Sequence, residues 1–244
     1  MIAIKGLSKR FGHVEAVRNV TFTAADGTVT GLLGPNGAGK TTTLRMLSGL
    51  MPPDQGSILV DTADVVADPI GAQRFMGLLP DARGLYPRLT PREHIQYYGT
   101  LHGLTATVLE ARTEALVRRL GLESIADRRV AGFSQGERTK VALARALVHG
   151  PRNVILDEPT NGLDVMSTRA LRGLIRSLRE EGCCVVFSSH IMQEVSALCD
   201  RIVVIAQGTV VAEGTPDTLR QQTGHDDLED AFVALAGLDA EAVE

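Results

Sequence analysis

A glycine-rich loop, between the apolar run 29–33 and a segment of helical periodicity beginning near residue 42, constrains this chain more than any other stretch. Glycines allow backbone angles that turn successive N–H groups toward one point, and the N-terminus of the following helix adds partial positive charge there. A lysine and a threonine at the end of the loop can then reach the outer phosphates and Mg²⁺. The pattern therefore predicts a phosphate-binding loop rather than a turn that merely precedes a lysine. The predicted contacts are Gly34, Pro35, Asn36, Gly37, Ala38, Gly39, Lys40, Thr41 and Thr42.

Length and composition bound the kind of protein that contains this loop. The chain has 244 residues, of which 44% are hydrophobic and 22% are charged, so we expect one α/β unit with a lobe inserted or appended. A net charge of only −4 does not favour nucleic acid as a partner. The three cysteines form no disulfide pattern and no Cys-x-x-Cys spacing for zinc, so we expect them to be reduced and buried.

The apolar runs of the sequence are short. The longest, such as 183–187 and 202–206, are far below the roughly 20 residues that span a bilayer. The first five residues also lack the extended apolar region of a signal peptide. We therefore expect a cytosolic protein that touches a membrane only through a partner.

The region before the loop has the pattern of short β-strands. Residues 2–7, 20–24 and 28–33 alternate and are separated by turn formers such as Asp26 and Gly27. They predict a small antiparallel layer that leads into the strand before the loop. Phe11 stands among polar neighbours, where its ring can stack on a purine base or can pack between the two β layers, and the residues alone leave both possibilities open.

A mainly helical region follows, from residue 91 to about residue 120, with breaks at Gly103 and Gly121. The next helix opens at residue 133, runs to about residue 149 and has Ser134 and Glu137 in its first turn. These two residues predict a capping box, in which each side chain accepts a hydrogen bond from the backbone N–H of the other residue. The same helix N-terminus, with a hydroxyl and a glycine, also fits a second anion site.

Two later strands are predicted to end in charged or titratable residues. The apolar run 153–156 ends in Asp157 and Glu158, and carboxyl ends of buried parallel strands are where α/β proteins bind ligands. One acid can hold Mg²⁺ and the other can polarise a nucleophilic water, although a pair of solvated charges is the simpler alternative. The run 183–187 ends close to His190, which we expect at the same edge. No role is assigned to His13, His94, His102, His149 and His225.

The end of the chain is predicted to contain a hairpin and a helix. Residues 201–206 and 209–213 have the pattern of a closing hairpin. From residue 225 onward the tail is acidic and amphipathic, with Leu228, Phe232 and Leu235 on one helical face. This face predicts docking on the body or on a second subunit, and a solvated, partly frayed tail is the other interpretation.

Together these motifs resemble the ATP-binding subunit of an ATP-binding-cassette (ABC) transporter, and the resemblance covers nearly the whole chain. Residues 34–41 are similar to the Walker A loop of that family, residues 154–157 to Walker B, and Glu158 to the general base that follows it. His190 is similar to the switch histidine of the family. Phe11 is similar to the aromatic residue that stacks on adenine, a position that is usually tyrosine.

Two further motifs complete the resemblance. Residues 133–137 resemble the signature sequence, although Gln135 and Glu137 stand where glycine and glutamine are commoner, and residues 161–164 resemble the D-loop. The resemblance implies a head-to-tail dimer, in which the Ser134 helix of one subunit caps the γ-phosphate held by the other. The further ATP contacts that it implies are Ser134, Gln135, Gly136 and Asp164.

The resemblance also implies the fold and the cofactors. We expect an α/β P-loop NTPase of the ABC type, with a mostly parallel core sheet, an N-terminal antiparallel β layer and an inserted helical lobe. One domain is expected over residues 1–244, with the core and β layer at about 1–85 and 150–215, the helical lobe and signature at 86–150, and a helical tail at 216–244. The expected cofactors are ATP and Mg²⁺. The implied catalytic residues are Glu158 and His190, and the implied metal ligands are Thr41, Asp157 and Asp81.

The loop 79–86 departs from the family at one position. Asp81 stands where a glutamine normally approaches Mg²⁺ and couples the site to the membrane domain, so it adds a negative charge that must be balanced. Residues 81–90 resemble the branch that includes bacterial sodium-efflux and drug-efflux cassettes, which favours export over import. The implied partners are a transmembrane permease subunit at the inner face of the cell membrane and a second ATP-binding subunit, in the simplest case another copy of this chain.

Other classes of nucleotide-binding protein fit the sequence less well. A GTPase switch needs an Asn-Lys-x-Asp segment, which the sequence lacks. A chromosome- or repair-type ATPase would have sustained heptads between Lys40 and Ser134, and a translation-associated cassette protein usually has two phosphate loops. The remaining alternative is a non-transport ABC-type ATPase or a nucleotide-sensing regulatory module, and ATP turnover separates a sensing module from an enzyme.

Overall fold

The computed structural model of the protein describes residues 1–237, and the last part of the predicted tail, 238–244, lies outside this range. Its strands are β1 (Ile2–Phe11), β2 (Val14–Ala24), β3 (Val29–Leu33), β4 (Gln55–Val60), β5 (Ala63–Asp64), β6 (Met76–Leu79), β7 (Asn153–Leu156), β8 (Cys184–Ser189), β9 (Arg201–Ala206) and β10 (Thr209–Gly214). Its helices are α1 (Lys40–Leu47), α2 (Pro69–Gln73), α3 (Pro91–Leu101), α4 (Ala106–Arg119), α5 (Gln135–Leu147), α6 (Val165–Glu180), α7 (Met192–Leu198), α8 (Pro216–Thr223) and α9 (Leu228–Ala236).

Two sheets organise these elements. In the larger sheet, β9, β3, β8, β7 and β6 are parallel neighbours in that order, and β10 is added antiparallel beside β9. The smaller sheet is antiparallel, with the order β2-β1-β4-β5. Helices α3, α4 and α5 lie in the chain between β6 and β7. The expectation of a mostly parallel core sheet with an N-terminal antiparallel layer and inserted helices is confirmed.

The parallel strands are buried on both faces. Leu32 and Val186 belong to the core that the strands share with the antiparallel layer and α1, whereas Leu33 and Phe187 belong to the core under the helices. This alternation follows from the period of two along a strand. Because both faces are covered, the strands are continuous apolar runs, and polar residues are concentrated where the strands end.

The first two strands are longer than the sequence predicted. Both extend into residues 8–19, which the alternation left outside the predicted stretches 2–7 and 20–24. The pairing of β1 with β2 shifts register at three places, and Gly6 and Asn19 have φ angles of 61° and 50°. These irregularities break the alternation of buried and exposed residues, so the sequence pattern did not reveal that the strands continue.

The helical region and the tail agree with the sequence analysis. The predicted break at Gly103 separates α3 from α4. In the tail, Leu228 and Phe232 are buried in the core under the helices and Leu235 packs against it. Docking of the tail on the body is therefore confirmed for the residues that the structure describes.

Two histidines without a predicted role hold the C-terminal end of α5. The ring of His149 stacks on that of His102, with centroids 3.7 Å apart and planes inclined by 3°. The Nε2 atom of His149 donates to the carbonyl of Met76 at 3.0 Å. Burial, reinforced by the nearby His102 and Arg112, lowers the pKa of His149 to about 4, so this ring is neutral at neutral pH.

Candidate functional site

Three predicted site residues meet the phosphate loop at the carboxyl edge of the larger sheet. β3 runs into the loop, β7 runs into Asp157 and Glu158, and β8 runs into His190. The three strands are neighbours in the order β3-β8-β7, and Leu33 at the end of β3 pairs with Ser189 at the end of β8. Their ends therefore open on one cleft, in the position where α/β sheets bind ligands.

The cleft has a volume of ≈ 510 Å³, which lies in the range of ordinary small-ligand sites. Two predicted loop residues, Gly34 and Pro35, stand behind it rather than in its wall. The lining residues are Ala16, Asn36, Gly37, Ala38, Gly39, Lys40, Thr41, Thr42, Asp81, Glu158, Asn161 and His190.

Two positions of the loop have backbone angles that favour glycine. Gly37 and Gly39 have φ angles of 79° and 104°, in the left-handed region that glycine occupies without strain. A Cβ atom on Gly39 would also lie 2.5 Å from the carbonyl oxygen of Ala16. Gly39 precedes α1, whose N-terminus has no side-chain cap, so the first N–H groups of that helix are available to an anion.

Lys40 is the cation of the cleft and is 6% exposed. Its Nζ atom donates to the carbonyls of Gly34 at 2.6 Å and Pro35 at 3.2 Å, and lies 3.7 Å from Oε1 of Glu158. Burial lowers the pKa of Lys40, and the carboxylates of Glu158 and Asp157 oppose that shift. The loop thus holds the ammonium group with its own carbonyls and points it at the place where phosphate oxygens are expected.

Asp157 is connected to both the phosphate loop and β8. The carboxylate is 4% exposed, and its Oδ1 atom accepts hydrogen bonds from Ser188 Oγ at 2.7 Å and Thr41 Oγ1 at 3.3 Å. Ser188 in turn accepts a hydrogen bond from the backbone N–H of Glu158 at 2.9 Å. Ser188 therefore fixes both acidic residues, and sequence analysis missed it because its role appears only when β8 lies beside β7.

Glu158 lies between the cation and the histidine. Its Oε2 atom is 2.9 Å from Nδ1 of His190, while Oε1 faces Lys40. Its φ angle of 44° is in the left-handed region, where a non-glycine residue costs about 1–3 kcal/mol and persists only if its surroundings hold it. The side chain is thus held where it can accept a proton from a water molecule beside the phosphate loop.

Two further predicted residues differ in their relation to the cleft. Asp81, in the loop after β6, lines the cleft, whereas Phe11 does not. Phe11 lies at the end of β1 and is 45% exposed, with Nζ of Lys9 5.9 Å from its ring centroid. The interpretation that this ring packs between two β layers is therefore wrong, because nearly half of the side chain is in contact with solvent.

The signature-like residues of the same chain lie away from the cleft. Ser134, Gln135 and Gly136 are absent from its wall among the residues that the structure describes. The predicted capping box is confirmed: Ser134 Oγ accepts from the N–H of Glu137 at 3.2 Å, and Glu137 Oε2 accepts from the N–H of Ser134 at 2.7 Å. Gln135 instead lines a neighbouring cavity together with Asp81.

Asp164 likewise does not line the cleft but forms the N-cap of α6. Its Oδ1 atom accepts from the N–H of Ser167 at 2.8 Å and its Oδ2 atom accepts from the Ser167 hydroxyl at 2.9 Å. Gly136 packs on that hydroxyl, and a Cβ atom there would lie 2.5 Å from it. The N-termini of α5 and α6 are therefore in contact within one chain, and the capping role of Asp164 was not foreseen.

A buried acid that sequence analysis also missed joins the two turns beside the cleft. Glu194 on α7 is 3% exposed and accepts hydrogen bonds from Thr160 Oγ1 at 2.5 Å and Ser189 Oγ at 3.4 Å. It lies 3.9 Å from a guanidinium nitrogen of Arg172. These contacts connect the turn after Glu158 to the end of β8, and only the tertiary arrangement reveals them.

Known sequences that resemble this chain belong to ABC transporters. A family model described as "ABC transporter" matches residues 17–161. The ABC transporter ATP-binding protein NatA of Bacillus subtilis (strain 168) is 44% identical over 239 residues, which are 96% of this chain and 97% of that protein. The daunorubicin resistance ATP-binding protein DrrA3 of Streptomyces coeruleorubidus is 38% identical over 93% of this chain and 72% of its own length.

Comparison with solved structures agrees with the sequence relatives. An ATP-binding subunit of an ABC transporter superposes with a TM-score of 0.89 at 32% identity and covers 96% of this chain and 99% of its own. The ATP-binding cassette MJ0796, solved as a dimer bound to ADP and Pi, superposes with a TM-score of 0.80 at 24% identity over 88% of this chain and 98% of its own. The second likeness concerns the fold alone.

Proposed function

The chain belongs to the ABC transporter family, as an ATP-binding and ATP-hydrolysing subunit of an export system, and on that premise we propose a role for each residue of its site. The observation that supports the proposal best is the joining of Lys40, Glu158 and His190 at the carboxyl edge of the sheet. A cation for phosphate, a carboxylate for water and a histidine beside it are the groups that phosphoryl transfer to water needs.

The phosphate loop binds the triphosphate of ATP. Residues 36–39 offer backbone N–H groups, Lys40 offers its ammonium group to the outer phosphates, and Gly34 and Pro35 hold that lysine from behind. Thr42 lines the same wall. Phe11 stands beyond Ala16 on the antiparallel layer, so we place the adenine base toward this ring.

The residues beside the loop fit Mg²⁺. Thr41 Oγ1 and Asp157 Oδ1 lie 3.3 Å apart, and Asp81 lines the same cleft as Thr41, so the three residues offer hard oxygen donors of the kind that Mg²⁺ prefers. When bound, Mg²⁺ supplies positive charge that offsets the phosphates and the extra carboxylate of Asp81. The three residues would hold it, and Ser188 keeps Asp157 in place.

Glu158 takes part in the chemical step. The carboxylate orients a water molecule and accepts its proton as the water oxygen bonds to the γ-phosphorus and the bond to the β-phosphate oxygen breaks. His190 holds Oε2 of Glu158 and lies at the mouth of the cleft, where it supports the γ-phosphate. The turn geometry of Glu158 aims the carboxylate before any substrate arrives.

Two copies of the chain complete two sites. Ser134, Gln135, Gly136 and Asp164 are outside the cleft of their own chain, so we assign them to the γ-phosphate side of a partner in a head-to-tail dimer. Two helix N-termini on opposite sides of one triphosphate stabilise more charge than one. ATP then closes the pair and hydrolysis lets it open.

We place this dimer on the cytoplasmic face of a membrane, bound to a permease subunit that selects the exported compound. Within residues 1–237, no helix is both long enough and apolar enough to cross a bilayer. Relatives include the linearmycin resistance ATP-binding protein LnrL and a Nod factor export ATP-binding protein. We also retain the division of residues 1–244 into a core, a helical lobe and a tail as part of the proposal.

A substitution of Glu158 tests the chemical role. In Glu158→Gln, ATP binding is expected to stay within about twofold, while turnover falls at least about 100-fold because the amide cannot accept the proton. Glu180→Gln on the exposed side of α6 is the matched control and is expected to turn over ATP normally. Steady-state phosphate release and calorimetric ATP binding measure the two quantities. Normal turnover by Glu158→Gln would remove the residue from the chemical step.

A further inference from the structure

Arg83 lies in the loop after β6, two residues beyond Asp81, and is 6% exposed. Its Nη1 atom donates to the carbonyls of Pro80 at 2.5 Å and Asp81 at 3.1 Å, in its own loop. Its Nη2 atom donates to the carbonyls of Glu158 at 3.3 Å and Pro159 at 3.4 Å. One side chain therefore bridges the loop that presents Asp81 and the turn that presents Glu158.

The same guanidinium group also contacts α5. Its Nε atom donates to Thr139 Oγ1 at 3.2 Å, about one turn after the Ser134 cap of that helix. A second arginine of α5 holds the loop from the other side, since Arg145 donates to the carbonyls of Arg83 at 2.9 Å and Gly84 at 3.1 Å. The loop after β6 is thus held between the turn after β7 and the helix that begins at Ser134.

Burial of this cation is not explained by ion pairing. Its acceptors are four carbonyl oxygens and one hydroxyl, and within residues 1–237 no carboxylate lies at salt-bridge distance from it. Burial lowers the pKa of Arg83, and the more distant carboxylates of Asp81 and Asp157 oppose the shift. A buried charge contributes little stability compared with an apolar residue of similar volume, so its burial against neutral acceptors favours a specific geometric role.

The strained turn at Glu158 shows what that role is. Glu158 has a positive φ angle, its N–H donates to Ser188 Oγ, and its carbonyl accepts from Arg83. The backbone of Glu158 is therefore hydrogen-bonded at both its N–H, to Ser188 of β8, and its carbonyl, to Arg83. A planar fork of N–H donors is the side chain best suited to bind several carbonyls at once.

We infer that Arg83 is a positioning residue that keeps the backbones of Asp81 and Glu158 in register with each other and with α5. The inference rests on the proposed function, because it assigns Arg83 to the site that holds ATP. A shift of the Asp81 loop moves the Glu158 carbonyl and the Thr139 hydroxyl together, since all three bind one rigid group. Arg83 also supplies the positive charge nearest in sequence to the extra carboxylate of Asp81.

Hydrogen exchange on the full chain tests this bridge independently of catalysis. Arg83→Lys keeps the charge but loses the fork, so amides at 81–85, 134–139 and 160–161 are expected to exchange about tenfold faster, while those at 36–47 stay unchanged. The matched control, Arg201→Lys, alters an exposed arginine that pairs with Glu213 on the closing hairpin. Faster exchange confined to 81–85, or equal acceleration over the whole chain, overturns the inference.

ATP turnover supplies a second readout that simple destabilisation does not reproduce. Arg83→Lys is expected to lower kcat by about 10- to 100-fold through misplacement of Glu158, with KM for ATP changed less than about twofold because the phosphate loop is untouched. Unchanged kcat contradicts a positioning role even if exchange is faster. If the wild-type chain itself turned over no ATP, the proposed function would fail, and the exchange pattern would still decide whether Arg83 bridges the three segments.

Discussion

The carboxyl edge of the larger sheet and the N-terminus of α5 are built differently, although we assign both to one triphosphate. At the edge, Glu158 contacts both Lys40 and His190, which follow three neighbouring strands, and the three side chains line one cleft. At α5, Ser134 and Glu137 bind each other, and the contact stays within one turn of helix. The edge is assembled by topology, whereas the helix N-terminus is a local unit.

This difference shows which half of the site one chain can supply. The edge offers a cation, an acid and a histidine in contact, so one chain is expected to bind ATP. The capping box occupies the N–H groups of Ser134 and Glu137, but the N–H groups of Gln135 and Gly136 have no helical acceptor because they belong to the first turn. A capping box and an anion site are therefore compatible, as the proposed binding of a second chain's triphosphate requires.

Ser134→Ala is expected to have the largest effect, because it should separate ATP binding by one chain from ATP-driven dimerisation. The variant is expected to bind ATP normally as a monomer and to lose ATP-driven dimerisation, with turnover reduced by about 100-fold because one donor to the developing charge is missing. Size-exclusion chromatography with light scattering, in the presence and absence of ATP, measures association. Dimerisation at wild-type ATP concentrations would contradict assembly in trans.

Two other substitutions control this experiment. Thr90→Ala removes the cap of the second capping box, at α3, so it should cost the same stability of about 1 kcal/mol without affecting association. Lys40→Met is expected to give the opposite pattern, in which ATP binding itself is lost. If Thr90→Ala also prevented dimerisation, the effect of Ser134→Ala would come from helix fraying rather than from contact with the partner.

The comparison also explains what the sequence could predict. The strand 153–156 was predicted with its observed bounds, because an apolar run followed by two acids is a local signal. The Ser134 capping box was predicted for the same reason. Ser188, Arg83 and Glu194 were missed, since each acquires its role only when the chain brings a distant segment beside it.

The segments at the two ends of α5 differ in pH sensitivity, because a partly buried histidine, His149, follows its C-terminal end. The pKa of His149 is about 4 in the fold, below its ordinary value of 6.5. Above pH 6.5 both folded and unfolded chains hold the ring neutral, so its contribution is constant. Below that pH the unfolded chain takes up a proton first, and by pH 5 this should cost about 2 kcal/mol of unfolding free energy.

Urea unfolding at pH 7.5 and pH 5 measures this loss. His149→Gln keeps a donor for the Met76 carbonyl but cannot titrate, so its loss of stability between these pH values is expected to be about 2 kcal/mol smaller than that of the wild type. His13→Gln changes an exposed histidine in the turn between β1 and β2 and should behave as the wild type. Equal losses in all three proteins would remove His149 as the source.

Substitution of Phe11 is expected to have the smallest effect, and it tests how the edge of the larger sheet binds ATP. The ring stands beyond the lined cleft and is 45% exposed, so Phe11→Ala should leave stability nearly unchanged. If the ring stacks on adenine, ATP affinity falls by about fivefold, the equivalent of roughly 1 kcal/mol, while the affinity for inorganic tripolyphosphate stays the same. Val14→Ala alters the cross-strand neighbour of Phe11, which is 65% exposed, and should change neither affinity. An equal loss for both ligands would mean that Phe11 shapes the phosphate loop through β1, and the edge of the sheet would then bind ATP through its phosphates alone.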